Sequence, residues 1–171
     1  RMGVRKADPY YESRHADRAS WSVIPFMGRT RSAMTLMPYT EQTDDATLTY
    51  RFDMNGKQPE TVTIHVILKS TLDYLNKGGL AFTVSLDGGA PQRIVFNDRL
   101  NEAKENIYSV FYPTVARRIV ETKCTLPLSQ QSTHTITIHP EDPAILFEKI
   151  VVDAGGYQPS FLFGDESPCK R

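Results

Sequence analysis

The sequence has no apolar run approaching the roughly 20 residues that a membrane-spanning helix needs, which excludes a helical membrane protein. It has no excess of either charge. Its 20 Lys and Arg balance 20 Asp and Glu, so no basic field exists for nucleic-acid phosphates or anionic lipid. Cysteine is scarce: Cys124 lies in a strand-like run and Cys169 near the end, and one bridge between them would suit an exported protein without amounting to a disulfide framework. Histidine is nearly as scarce. Of His15, His65, His134 and His139, the last two are five apart on a strand and so point to opposite faces, and no pair has metal-ligand spacing. There is no G-x-S-x-G elbow, phosphate-cradling glycine loop or dinucleotide fingerprint. Glu141 with Asp142, and Asp44 with Asp45, read as surface turns rather than an acid and base flanking a cleft. The chain is expected to be non-catalytic.

Period-two alternation is abundant. The 171 residues fit one domain, and Pro140 to Ser167 organises it. Within that stretch Ile145 to Val152 is apolar on both parities, Leu146, Ile150 and Val152 against Phe147 and Val151, as in a strand covered on both faces. Asp142-Pro143 and Ala154-Gly155-Gly156 punctuate its ends. Tyr10 to His15 is a short first strand; Trp21 to Met27 and Ser32 to Met37 are expected to pair around Gly28-Arg29-Thr30. Thr47 to Met54 sets Leu48, Tyr50, Phe52 and Met54 against Thr47, Thr49, Arg51 and Asp53, and Asn55-Gly56 predicts a hairpin with Thr61 to Leu68. Leu80 to Leu86 turns at Asp87-Gly88-Gly89 into Arg93 to Phe96, and Ala116 to Leu126 and His134 to His139 alternate again. Ile107, Val110 and Phe111 give Asn101 to Tyr112 helical spacing, with Pro113 as its stop. Nine or ten strands and one short helix predict an all-β, antiparallel β-sandwich of jelly-roll type.

Aromatic residues carry the functional lead, because sugar C–H faces pack on aromatic planes while hydroxyls take polar partners. Trp21 is the single tryptophan, at the head of an apolar strand where a core place is the plainer reading; Tyr74 and Tyr157 stand in loops. Arg29 and Arg31 would fork a uronic acid carboxylate, or else simply be solvated cations on a turn. Glu12, joined by Asp153 or Asp142, would supply oxygens for a structural calcium ion, although no dense acidic loop is present.

Trp21-Ser22-Val23-Ile24-Pro25 leading into Gly28-Arg29-Thr30 and Ser32-Ala33-Met34 resembles the opening of the C-terminal domain of glycoside hydrolase family 115. Leu48 to Phe52, Val84-Ser85-Leu86-Asp87, His134-Thr135-Ile136, Asp142-Pro143, Glu148 to Asp153, Gly155-Gly156 and Glu166-Ser167 resemble the family pattern in the same order, and Arg31 stands where a glycine is usual. The resemblance covers Tyr10 to Ser167. It implies a β-sandwich domain over residues 10–167, with 1–9 a linker and 168–171 a tail, similar to carbohydrate-binding modules of families 6 and 35. The sequence opens on Arg1-Met2-Gly3 without a leader, as a piece of a longer chain would. The parent implied is a periplasmic or secreted bacterial xylan α-glucuronidase whose catalytic carboxylates lie upstream, so no catalytic residue carries over. The expected partners are glucuronoxylan, the upstream catalytic domains and a second copy in a homodimer. The carbohydrate contacts expected are Trp21, Arg29, Tyr74 and Tyr157, with no cofactor beyond the calcium considered above. The rival expectation is a purely structural, dimerising sandwich in which Trp21 is core.

Overall fold

The computed structural model describes residues 12–14, 19–39, 43, 45–54, 56–165 and 167. In chain order the strands are β1 (Glu12–Arg14), β2 (Ser20–Pro25), β3 (Ser32–Met37), β4 (Thr47–Asp53), β5 (Thr61–Lys69), β6 (Ala81–Leu86), β7 (Gln92–Val95), β8 (Ile119–Pro127), β9 (Thr133–Pro140) and β10 (Phe147–Asp153). They form two five-stranded antiparallel sheets, one in the order β1-β4-β9-β6-β7 and the other β2-β3-β10-β5-β8. The expected sandwich is the fold observed. Tyr10, Tyr11, His15, Asp44, Asn55, Glu166, Cys169 and the side chain of Glu12 lie outside the described residues.

The alternation explains the layers. Leu48 and Phe52 from β4, Ile136 and Ile138 from β9, and Phe82 and Val84 from β6 face inward from one sheet. Val62, Ile64, Val66 and Leu68 from β5 meet them from the other. Each such side chain contributes about 1.5–3 kcal/mol by leaving water. Phe82 anchors the middle, its centroid 5.4 Å from Phe147 in an edge-on contact and 6.3 Å from Phe96.

β10 is central, paired with β3 on one side and β5 on the other, and both its faces are covered as expected. One detail differs. Phe147 pairs with Leu68 and Lys149 with Ile67, so Glu148 is an extra residue, a β-bulge that resets the parity. Phe147 therefore joins Ile150 and Val152 in the inner core, while Val151 turns outward beneath Phe163 with Ile67 and Ile119. The outer face is covered by the segment after β10, which Lys149 Nζ holds by donating to the carbonyls of Leu162 (2.9 Å) and Gly164 (2.6 Å).

Two expectations are corrected. β4 and β5 do not form a hairpin: β4 pairs with β9 and β1, β5 with β10 and β8, and the Gly56 connection crosses between sheets. Both strands present an apolar face, and each face is buried against the opposite layer, which side-by-side pairing would not achieve. Nor does Pro113 stop a helix. A single π turn over Ile107–Phe111 runs into α1 (Tyr112–Arg117), with Pro113 in its first turn, where the missing N–H has no intrahelical partner to lose. Arg118, at φ 63, ends α1.

Candidate functional site

The β2–β3 turn is built around a carboxylate. The bulge aims Glu148 at the turn, and its Oε2 accepts the Arg29 N–H at 3.0 Å. Burial pushes this carboxyl above its ordinary 4.5, against the pull of the Arg29 and Thr30 N–H groups and the Lys69 charge. The half-buried Arg29 side chain is engaged at the surface of its own chain: Nε donates to the Arg117 carbonyl at 2.9 Å, and the guanidinium lies 4.5 Å from the Phe161 ring centroid and 5.8 Å from that of Phe163. Arg29 thus fastens the segment after β10 instead of presenting an open fork. Arg31 is exposed at φ 65, a conformation that glycine adopts without strain.

Trp21 requires a correction. Only 8% exposed, it packs in the inner core with its ring 6.3 Å from Phe147, so it offers no face to a sugar. Tyr157 is half-buried on the outer face of the second sheet, its ring 4.8 Å from His65, with its N–H and that of Gly155 held by Asp153 Oδ1. Tyr74 sits elsewhere, on the loop between β5 and β6, and donates its hydroxyl to the Pro143 carbonyl at 3.1 Å. Burial, then the neighbouring Asp142 charge, raises its phenol. The four expected contact residues do not converge on one site. The acids considered for calcium have other work: Asp142 Oδ2 accepts the Ala81 N–H at 2.7 Å and Oδ1 pairs with Lys77, while Asp153 caps its turn. Among the described residues no three His, Cys, Asp or Glu side chains are grouped to hold a metal.

A cleft opens instead between the 70–79 loop and the 97–111 segment, with a volume of about 520 Å³, the size of a ligand pocket. Asp73, Asp98 and Glu102 line it with carboxylates and Asn76 and Asn101 with amides. Leu72, Leu100 and Phe111 supply its apolar surface. The walls are organised by side chains bonding to backbone. Asp73 Oδ2 accepts the N–H groups of Gly78 (2.9 Å) and Gly79 (2.8 Å), and Asn97 spans the loop by accepting from Leu80 N–H (2.6 Å) and donating to the Thr71 carbonyl (2.7 Å). Asn101 Oδ1 accepts from Ala103 N–H and from the Asn106 amide, both at 3.1 Å. The loops touch at Gly79, where φ is 107 and a Cβ would lie 2.5 Å from Val95 Cγ1 and 2.9 Å from the Asp98 nitrogen. Although burial opposes it, donation from Gly79, Gly78 and neighbouring N–H groups holds the Asp73 carboxyl below its ordinary 3.8. These residues were missed because Asn101 to Tyr112 reads as a helix. The signal that could have found them is the density of Asn and Asp from Asn97 to Asn106, which favours side-chain-to-backbone turns over helix.

Residues 5–166 match the sequence pattern of the Glycosyl hydrolase family 115 C-terminal domain. A family GH115 4-O-methyl-alpha-glucuronidase, BtGH115A, with specificity for decorated arabinogalactans superimposes with a TM-score of 0.62 at 19% identity, over 84% of this chain and 17% of that one. This chain thus spans only a small part of that enzyme. A family 35 carbohydrate binding module from Clostridium thermocellum aligns with a TM-score of 0.59 at 12% identity, over 89% of this chain and 98% of the module. The C-terminal CBM6 of LamC, a marine laminarinase from Zobellia galactanivorans, aligns with a TM-score of 0.56 at 11% identity, over 89% and 98%. No curated protein sequence matches the chain. At these identities the structural likenesses establish the fold, a sandwich of carbohydrate-binding-module type.

Proposed function

The chain belongs to the Glycosyl hydrolase family 115 C-terminal domains, and from that premise we propose that it is the non-catalytic accessory domain of an α-glucuronidase acting on glucuronoxylan, and that it holds polysaccharide near the parent's active site. The domain occupies residues 10–167. The observation that carries the binding role is the cleft: a preorganised, partly apolar pocket rimmed by amides and carboxylates, on a module-like sandwich. Its polymer lies outside the cell, so the domain works in the periplasm or medium; among the described residues no helix is long and apolar enough to cross a membrane. A non-catalytic role is supported by the geometry of one grouping with hydrolase-like residue types among the described residues. There Asp87 Oδ2 accepts from Ser129 (2.5 Å) and pairs with His134 Nδ1 (2.8 Å), so the acid, not the histidine, stands in the middle, and His134 is fully buried.

Affinity electrophoresis in gels containing glucuronoxylan, arabinoxylan or arabinogalactan tests the reading, beside a Phe111→Ala variant. Retardation by one polymer, lost in the variant at unchanged Tm, is the expected result. Free mobility of the chain in every gel overturns it.

A second reading is favoured by one specific observation. Trp21 is core, and Phe26, Phe161 and Leu162 are 90%, 69% and 54% exposed, apolar area that bracing an upstream domain or a homodimer partner would cover. Sedimentation of this chain as a dimer, abolished by Phe161→Ser with Leu162→Ser, would support the homodimer; a monomer at all concentrations removes it.

A further inference from the structure

The cleft between the 70–79 loop and the 97–111 segment carries charge of one sign. Asp73, Asp98 and Glu102 line it, and no lysine or arginine does. We propose that this cleft selects an uncharged stretch of polysaccharide and discriminates against uronic acids, so that the domain grips neutral sugars while the acidic side chain is left to the rest of the enzyme. The inference rests on the glycan-binding reading above.

Sugar hydroxyls donate as well as accept, so the exposed carboxylates of Asp98 and Glu102 give them acceptors at the rim while Leu72 and Phe111 cover C–H faces. A uronate brings a second anion with no proton to donate at neutral pH. It meets like charge in a concave, partly desolvated site, where such juxtaposition costs most. Two cations of the surrounding loops have other partners, and the exposed Lys104 does not line the cleft. Lys77 pairs with Asp142, and Arg99 Nε bonds to Asn106 Oδ1 at 3.3 Å. Arg29, the cation the sequence offers for a carboxylate, is bound to the Arg117 carbonyl and the Phe161 face. Asp73 is fixed in the wall, its Oδ2 accepting from the Gly78 and Gly79 N–H groups.

The test compares gels cast with glucuronoxylan against gels cast with the same polymer after carboxyl reduction of its uronic acids, each run with calcium and with EDTA. The reduced polymer should bind with a several-fold lower Kd, equally in both buffers. Asp98→Asn with Glu102→Gln, exposed positions whose exchange leaves Tm unchanged, should narrow that difference by improving binding to the acidic polymer. Phe111→Ala should weaken binding to both. Equal or stronger retardation by the native polymer, with or without calcium, overturns the charge selection while leaving glycan binding intact. An undiminished difference in the double variant, or full retardation of Phe111→Ala, removes the assignment to this cleft. No retardation by either polymer fails the binding reading itself, and the inference with it.

Discussion

The carboxylate of Glu148 fills the space into which a side chain at residue 28 would project. Gly28 is at φ 61, and the turn it opens folds its next N–H, that of Arg29, onto the same carboxylate. The bulge in β10 and the β2–β3 turn therefore specify each other.

Replacement of Gly28 by Ala should cost about 2–4 kcal/mol, combining the strain of positive φ with displacement of a buried, hydrogen-bonded acid. Gly88, at φ 72 with nothing near a built Cβ, isolates the conformational part, and Gly88→Ala should cost about 1 kcal/mol. Urea denaturation of the two variants measures the difference. Equal losses would mean that Glu148 yields freely.

Asp87 should make the domain acid-sensitive. Burial raises its carboxyl, but hydrogen bonds from His134, Ser129 and the Thr135 N–H together hold it below 3.8. The folded value is thus depressed, the unfolded chain binds the proton more readily, and the stability contributed above 3.8 is lost as pH falls through the folded value. Asp87→Asn should be less stable than the parent at pH 7, and the gap should narrow as pH falls below 3.8. Denaturation midpoints across pH decide it, and a pH-independent gap would contradict this account.

Removing the Arg29 side chain should free the segment after β10. Arg29→Ala loses the contact over Phe161 and the bond to Arg117, for about 1–2 kcal/mol. Hydrogen exchange at the Phe163 amide, bonded to the Ser160 carbonyl at 3.1 Å, should accelerate well before β5 or β10 exchanges. Uniform acceleration everywhere would instead indicate a global effect.

Trp21→Ala should behave as a core deletion, lowering stability by about 3–5 kcal/mol. In affinity gels the variant, while folded, should be retarded like the parent. Selective loss of retardation at unchanged stability would restore Trp21 as a sugar contact.

Cys124 should be chemically quiet. Burial pushes its thiol up to about 11, and the side chain sits in the inner core. In a Cys169→Ser background, labelling by a thiol reagent at pH 8 should track global unfolding and accelerate with denaturant; rapid labelling under native conditions would show local opening of β8.

Most strands were legible from residue order alone, because alternation is a local property. Leu48, Phe52, Ile136 and Ile138 declare an inward face whichever partner they take, and the Gly28 and Asp87-Gly88 turns sit between strands that do pair. The family was legible too, since ordered blocks over most of the chain carry it. Partnership was not. The Asn55-Gly56 turn looks like a hairpin, but which sheet β4 and β5 enter depends on β9 and β10, far along the chain. The bulge at Glu148 shows only against the Leu68 and Ile67 register, and its ligand Arg29 lies 119 residues away. The cleft has the same origin. Asp73, Asp98 and Glu102 form no motif in order, and they share a surface only because β5, β6 and β7 deliver their loops to one place, a consequence of long-range pairing that no local pattern encodes.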